Sequence, residues 1–367
     1  MTIARNVLDL MRNTPLVGLK GREQHTLRGQ LWGKLELAMP GQMKDRVARR
    51  VIQDAAQRGA LKPGGIVIES SSGTMAEGLA RVGAALGYRV IIVTDPRVDA
   101  GLCAKLRAFG AELDIVETQA PTGGWQRRRC ERLGEILQKH PDAFWPRQYD
   151  NRLFQTVYEE ELAAELAKVG EITAFVACVG SGSSVCGTAH ALRRRNPRVR
   201  IIAVDATGSV QFHQPDRPRK QSGHGNSIIA GNIDYSAIDE VHWVNDGEAF
   251  SACHELARRE AIFGGGSSGA AYMVASWVAT KCEPGANVIA LFPDRGDRYA
   301  GTIYDQAYLQ ANGLWGVEAA PDPECIRYGV DEATRWSWSP LPHDGSVPYY
   351  APGTLTSRRM LAELGLE

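Results

Sequence analysis

Short apolar runs of strand character alternate with helical segments along most of this 367-residue chain, and that alternation restricts the fold more than any other feature. The clearest strand runs are Ile66 to Glu69, Arg89 to Thr94, Leu113 to Val116, Ala174 to Val179, Ile201 to Asp205, Val241 to Asn245 and Val288 to Phe292. Between them lie helical stretches such as Ala76 to Leu86, Ala100 to Phe109, Gln155 to Lys168 and Phe250 to Glu260. Such alternation predicts an α/β fold, with parallel sheets covered by helices on both faces. In sheets of that kind ligands bind where strand C-terminal ends meet helix N-termini. The loops after the strands are therefore where chemistry is to be sought.

Two such series are visible, with a change near Trp145 to Phe154. After about Ala311 the pattern stops. The remaining stretch carries Trp315, Pro321, Pro323, Trp336, Trp338, Pro340, Pro342, Tyr349 and Tyr350, and is expected to drape over the body or a partner subunit rather than fold alone.

The apolar fraction, 44 %, is that of a globular protein, and a formal net charge of zero offers no global field for nucleic acid or an acidic membrane. The arginine clusters Arg127 to Arg129 and Arg193 to Arg195 read as solvated helix faces. Seven scattered cysteines without paired spacing argue against a disulfide framework and for a reducing compartment. No CxxC pair suggests zinc, and His254-Glu255 lacks the second histidine of a zinc-protease helix because Arg258 stands there, so no metal site is expected. With no leader-like start and no membrane-length apolar stretch, the expectation is a soluble cytoplasmic protein.

The run Met39-Pro40-Gly41-Gln42-Met43-Lys44-Asp45-Arg46 follows an expected strand, Leu31 to Leu37, and precedes an expected helix whose Val47, Val51, Ile52 and Ala55 share one face. A lysine at that point feels the positive helix end and has Arg46 close by; both disfavour the ammonium form, as burial would. A partly neutral lysine can form a Schiff base with an aldehyde. The plainer reading is a surface lysine beside a helix start.

Three Gly/Ser-rich turns follow strands or precede helices: Glu69-Ser70-Ser71-Ser72-Gly73-Thr74, Gly180-Ser181-Gly182-Ser183-Ser184 and Gly264-Gly265-Gly266-Ser267-Ser268-Gly269. Small residues let backbone N–H groups approach an anion, and the helix dipole adds to the attraction. One ligand with a phosphate and a carboxylate would use two of these turns. The second turn also opens like a dinucleotide fingerprint, with Asp205 ending the next strand, but Val185 replaces its third glycine, which leaves a nicotinamide site as the weaker alternative.

In their order and spacing, five segments resemble the pyridoxal-phosphate-dependent cysteine synthases (O-acetylserine sulfhydrylases) and cystathionine β-synthases of fold type II. They are Asn13 to Val17, Met43 to Arg46, Ser71 to Met75, Gly180 to Ser184 and Gly266 to Ala270, and the likeness continues to Phe292-Pro293-Asp294-Arg295-Gly296-Asp297-Arg298-Tyr299. The resemblance implies a tryptophan-synthase-β-like pair of domains: a smaller, mobile one over 35–152, and a larger one from 1–34 and 153–311 carrying a phosphate cup. Residues 312–367 form an extension without counterpart in minimal members. It also implies a homodimer acting on small molecules.

Carried over residue by residue, the resemblance makes Lys44 the Schiff-base lysine and proton carrier for pyridoxal 5′-phosphate. Gly180, Ser181, Gly182, Ser183 and Ser184 would bind the phosphate; Thr74, Ser267 and Asp294 would complete the cofactor site. Ser71, Ser72, Gly73 and Thr74 would grip the substrate carboxylate, with Gln148 joining them; His224 and Asn226 would either contact a substrate tail or simply satisfy loop hydrogen bonds. The group facing the pyridine nitrogen is left open. The implied reaction is β-replacement on an O-acetylserine- or O-phosphoserine-type donor, in which a sulfur nucleophile adds to an aminoacrylate to give cysteine or a related amino acid. β-Elimination from a serine-like amino acid and a non-catalytic cofactor-binding partner protein are the alternatives. Thr74 stands where the family usually has Asn, Gln42 where it has Ser, and Ser222-Gly223-His224-Gly225-Asn226-Ser227 is more polar than usual. These departures point to a specialised donor or nucleophile, sulfur or nitrogen.

Overall fold

A computed structural model describes residues 3–366. Its strands are β1 (Leu16–Leu19), β2 (Gln30–Leu35), β3 (Ile66–Ser70), β4 (Arg89–Thr94), β5 (Glu112–Ile115), β6 (Ile172–Cys178), β7 (Arg200–Ala206), β8 (Glu240–Val244), β9 (Asn287–Phe292), β10 (Glu324–Cys325) and β11 (Ser337–Pro340). The helices are α1 (Lys44–Gln57), α2 (Thr74–Leu86), α3 (Ala100–Ala108), α4 (Gly124–Lys139), α5 (Leu153–Val157), α6 (Ala163–Leu166), α7 (Ser183–Arg195), α8 (Asp246–Glu260), α9 (Gly266–Lys281), α10 (Gln306–Ala311) and α11 (Ser357–Glu363).

Two sheets result. The larger runs β1-β2-β9-β6-β7-β8-β11-β10, and its centre from β2 to β8 is parallel throughout. The smaller is the parallel ribbon β3-β4-β5. Side chains of β6 alternate as the pleat requires: Phe175 and Ala177 enter one core cluster, Ala174 and Val176 another on the opposite face. Both faces are thus covered, which is why the sequence runs are apolar throughout. Helix α9 is buried on nearly every side, so it shows no polar stripe.

Several expectations are corrected in detail. The strand read as Leu31 to Leu37 ends at Leu35; Glu36–Ala38 turn into a 3₁₀ helix because the Glu36 carboxylate bends inward to meet Arg46. The helix read over Gln155 to Lys168 is broken by a π turn, Tyr158–Leu162, between α5 and α6. Arg129 is not on a solvated face: it is 3 % exposed and its guanidinium donates to Asp95 at 2.7 Å. In the other cluster, Arg193 pairs with Asp239 and Arg194 with Glu159. No strand precedes the Gly264–Gly269 turn, which instead touches the chain after β9 through a Gly264–Arg295 bridge.

The C-terminal stretch does more than drape. Strand β11 pairs antiparallel with β8, matching Trp338 to His242, and β10 pairs with β11. Trp336 is buried, and its indole N–H donates to His242 Nδ1 at 3.1 Å. Helix α11 then places Met360 and Leu361 against Cys130 of α4 and Ile228. Arg127 of α4 pairs with Glu363 at 2.7 Å, while Ile229 N–H donates to the Leu355 carbonyl. The tail therefore touches both the helical cover of the small sheet and the large-sheet body. Trp336→Ala is expected to lower stability by about 3–5 kcal/mol, the cost of emptying a large aromatic site. Deleting everything after Ala311 is expected to lower the melting temperature further. Thermal melts followed by circular dichroism check both, and an unchanged midpoint would show that the tail adds no packing energy. Among the described residues no helix is long and apolar enough to cross a membrane.

Candidate active site

Three adjacent parallel strands, β2, β9 and β6, deliver three of the expected segments side by side at their C-terminal ends. Beyond β2 the chain reaches Lys44 at the first position of α1; beyond β9 it reaches Asp294; beyond β6 it forms the Gly180–Ser184 turn into α7. Met43 N–H donates to the Pro293 carbonyl at 3.0 Å, tying the first two together. The Cys178 thiol donates to the Ser267 carbonyl at 3.2 Å, which brings the start of α9 to the third. The Ser71–Thr74 turn arrives from the small sheet, after β3. Arg298 bridges to it, donating to the Ser72 carbonyl at 2.8 Å.

The lysine's position is determined locally. The Asp45 carboxylate accepts the Gly41 N–H at 2.7 Å, closing the turn before α1. Gly78 of α2 faces the Lys44 carbonyl oxygen, and a Cβ there would stand only 3.1 Å from it, so glycine lets α2 pack against the start of α1. Lys44 itself is half-buried, makes no ion pair among the described residues, and approaches the Tyr158 hydroxyl at 3.4 Å. Burial lowers its pKa to about 8, against the opposing charge of Glu36. Arg46 is not the cause. Its guanidinium is buried and neutralised by Glu36, Glu161 and Glu165.

Two turns offer unclaimed backbone donors. No side chain caps α7, whose N-cap Gly182 has φ +85°, and none caps α2, which starts after Gly73. A Cβ on Gly180 would sit 2.9 Å from the Gly223 carbonyl oxygen, so only glycine fits at that close approach. Hydroxyls of Ser181 and Ser183 lie 3.3 Å apart at the first of these helix starts. The residues present thus fit a ligand that carries a phosphate for the α7 start and a carbonyl carbon for an amine poised near neutrality.

The other expected residues fall nearby with their own bonds. Gln148 donates to the Ser70 carbonyl at 2.5 Å, and its backbone N–H donates to Glu69, so it braces the Ser71–Thr74 turn from behind. Burial pushes the Glu69 carboxyl up to about 7 although three N–H groups oppose this. The Asn226 amide is fully engaged: it donates to the Gly180 carbonyl and to Gln211, and accepts from Gln126 of α4. These contacts match the loop-bonding alternative for Asn226. His224 is buried, and burial with the nearby Arg219 charge pushes it down to about 4, so its ring is neutral. Ser267 and Asp294 meet directly at 3.2 Å. Asp205, the acid of the nicotinamide alternative, is wholly buried and accepts from the Ala206 N–H.

Sequence reasoning missed Tyr158, Tyr299 and Arg298. Tyr158 lies inside what reads as an ordinary helix and reaches Lys44 only because the chain turns through a π segment. Arg298 and Tyr299 stood within the run quoted for the resemblance, which was the available signal.

With this geometry in hand, comparison with known proteins is direct. A family model described as pyridoxal-phosphate dependent enzyme matches residues 7–294. The N-(2-amino-2-carboxyethyl)-L-glutamate synthase of Cupriavidus metallidurans is 37 % identical over 316 residues, 84 % of this chain and 92 % of that protein. The crystal structure of O-ureido-L-serine synthase superposes with a TM-score of 0.78 at 28 % identity, covering 83 % of this chain and 96 % of that one. The O-acetylserine dependent cystathionine β-synthase from Helicobacter pylori gives a TM-score of 0.78 at 28 % identity, covering 83 % of this chain and all of that one (100 %). The chain belongs to the pyridoxal-phosphate-dependent enzymes, as a cysteine-synthase-like member of fold type II whose cofactor is pyridoxal 5′-phosphate.

Proposed function

We propose that the chain catalyses β-replacement on an activated serine, with the amine of a second amino acid, of the kind L-glutamate offers, as nucleophile. The observation that carries the chemistry is Lys44, half-buried at the start of α1 with its pKa lowered to about 8 by burial, on the same strand-end edge of the large sheet as the Gly180–Ser184 turn. The nitrogen nucleophile is supported by the relative from Cupriavidus metallidurans. The product in that protein's name is a 2-amino-2-carboxyethyl unit, the serine-derived fragment, attached to glutamate. A sulfur nucleophile, expected above, is the second reading; the Helicobacter pylori neighbour favours it at lower identity.

In this reading Lys44 holds the cofactor and moves the α-proton at Nζ. The cofactor, when bound, supplies an electron sink for the carbanion and so for departure of the β-substituent. Backbone N–H groups and hydroxyls of Gly180, Ser181, Gly182, Ser183 and Ser184 bind its phosphate. The α2 start, with Ser71, Ser72, Gly73 and Thr74, receives the substrate carboxylate, and Gln148 keeps that turn in place through Ser70. Asn226 serves by holding the Gly180 carbonyl. Burial raises the Tyr158 hydroxyl far above its ordinary pKa, so it keeps its proton and orients the lysine amine. The lobe over 35–152 closes on bound substrate and excludes water. We further read the protein as a cytoplasmic homodimer. Seven unpaired cysteines support the compartment, and the exposed side chains Ile3, Leu10 and Val17 support an interface near the N-terminal segment.

The test is incubation of the holoenzyme with O-phosphoserine or O-acetylserine, each with L-glutamate or sulfide, and mass analysis of products. A glutamate adduct supports the nitrogen reading, and cysteine the sulfur one. Pyruvate and ammonia alone would mean elimination; no change with any donor would sink the catalytic reading. A pH dependence follows from Lys44. Below pH 8 fewer than half of the molecules carry the free amine, so the rate of cofactor uptake by apo-protein is expected to rise with pH through a midpoint of about 8. Stopped-flow absorbance measures it, and a midpoint above pH 10 would mean the amine is not desolvated.

A further inference from the structure

The chain from Asn226 to Asn232 ties separate parts of the site together. At one end the Asn226 amide donates to the Gly180 carbonyl at 2.9 Å, at the entry of the Gly180–Ser184 turn, and accepts from Gln126 of α4 at 2.8 Å. At the other end the Asn232 amide donates to the Gln148 carbonyl at 3.0 Å, behind the Ser71–Thr74 turn. The Gln155 amide donates in turn to the Asn232 carbonyl at 2.6 Å. Between those ends the segment has no helix or strand of its own. A connection held only at its ends transmits position poorly, because its backbone keeps its conformational freedom.

The C-terminal stretch holds the middle. Ile229 and Thr356 form a parallel bridge, in which the Ile229 N–H donates to the Leu355 carbonyl at 2.9 Å and the Ser357 N–H donates to the Ile229 carbonyl at 2.7 Å. Ser357 is wholly buried, and its Oγ accepts the Gly231 N–H at 2.9 Å. The fit is close: a Cβ on Gly231 would stand 3.2 Å from Ser357 Oγ and 3.2 Å from Asp150 Cβ. The same stretch also grips α4. A Cβ on Gly123, the N-cap of α4, would stand 2.8 Å from Leu355 Cδ2, and Glu363 pairs with Arg127 at 2.7 Å. The family match ends at residue 294, so this support is added to the shared scaffold.

We propose that the C-terminal segment from Leu355 to Glu363 is a positioning element for cofactor binding, with Ser357 as its central positioning residue. By fixing the segment from Asn226 to Asn232 it fixes the Gly180 end of the phosphate turn and the Gln148 brace of the Ser71–Thr74 turn. The inference rests on the cofactor placement proposed above. Docking of the tail and binding of the cofactor then favour each other, and linkage makes each strengthen the other by the same factor.

Both sides of that coupling are measurable without reference to turnover. Absorbance titration of apo-protein with pyridoxal 5′-phosphate reads the first. Ser357→Ala, and a chain ending at Tyr350, are expected to bind the cofactor about five- to twentyfold more weakly, at a temperature where circular dichroism shows them folded. Hydrogen exchange of the wild-type protein reads the second. Cofactor is expected to slow exchange over 355–363 by a similar factor, and by more than in β10 and β11, which belong to the same tail but pair toward β8. Unchanged affinity in the folded variants would leave the tail a purely structural addition and overturn the inference. So would slowing over 355–363 no greater than in β10 and β11. Borohydride reduction and peptide mapping of the wild-type sample locate the cofactor. With the label on Lys44, either negative result overturns this inference alone; a label on another lysine overturns the proposed site, and the inference with it. The wild-type exchange measurement decides the matter even where neither variant folds.

Discussion

Replacing Lys44 by alanine is expected to abolish the visible absorbance of bound cofactor and to lower turnover by at least about two to four orders of magnitude, the range lost with a positioned proton-transfer group. The loss of covalent anchoring adds to that figure. The apo-protein is expected to melt nearly as before. Lys44 Nζ has one hydrogen bond, at 3.4 Å, and no ion pair among the described residues, so its removal breaks little and relieves the desolvation that lowers its pKa to about 8. Absorbance after cofactor addition, borohydride labelling and a melt of the same preparation check the three parts together. A yellow, reducible variant would place the Schiff base on another lysine.

The second large effect concerns Arg46. Its Nε and both Nη atoms meet Glu36, Glu161 and Glu165 in a buried network that Lys34 joins through Glu165 at 2.5 Å. Arg46→Met keeps the bulk of the side chain but leaves Glu36 and Glu165 with Lys34 as their remaining close cation. The expected cost is about 3–5 kcal/mol, as for other buried pairs broken from one side. Linkage gives the variant a signature. Burial alone would raise the Glu165 carboxyl, yet hydrogen bonds and charge from Arg46 and Lys34 hold it at about 2, below its ordinary 4.5. A depressed carboxylate contributes stability above its unfolded pKa and loses it as pH falls toward the folded value. Wild-type protein is therefore expected to lose about 3 kcal/mol between pH 4.5 and 2 from this group. Arg46→Met is expected to lose much less there, having lost it already at neutral pH. Urea titrations at several pH values measure both; parallel pH profiles for the two proteins would mean the network does not stabilise the fold.

That network lies directly behind the lysine, which connects stability to the site. Glu36 follows directly on β2, Arg46 lies in the first turn of α1, and Glu165 comes from α6 more than a hundred residues away. Together they pin the turn that carries Lys44, while the π segment of the same bundle presents Tyr158 to it. A disturbed network is thus expected to loosen the amine's geometry as well as the fold.

Much of this protein was written into its sequence. The alternation of apolar runs and helical segments determined the α/β architecture, because strands covered on both faces must be apolar throughout and helices must carry a stripe. The placement of Lys44 at a helix start, and of the Ser71–Thr74 and Gly180–Ser184 turns after strands, was equally local, since caps and tight turns depend on a few neighbouring residues. Tertiary structure decided what local pattern does not contain. Arg46 looked like a positive neighbour of Lys44, but carboxylates distant in the chain neutralise it, and burial lowers the lysine pKa instead. Arg129 looked solvated and is buried on Asp95. The tail lost its periodicity yet joins the sheet, because two short edge strands are selected by the open side of β8 and by the packing of Trp336, not by their own propensity. Asp294 acquired its surroundings in the same way: its hydroxyl partners come from two separate segments, and only the close approach of α9 to the end of β9 brings Ser267 within reach. Periodicity and capping act over a few residues, whereas charge pairing, burial and edge pairing act between segments that meet only once the chain is folded.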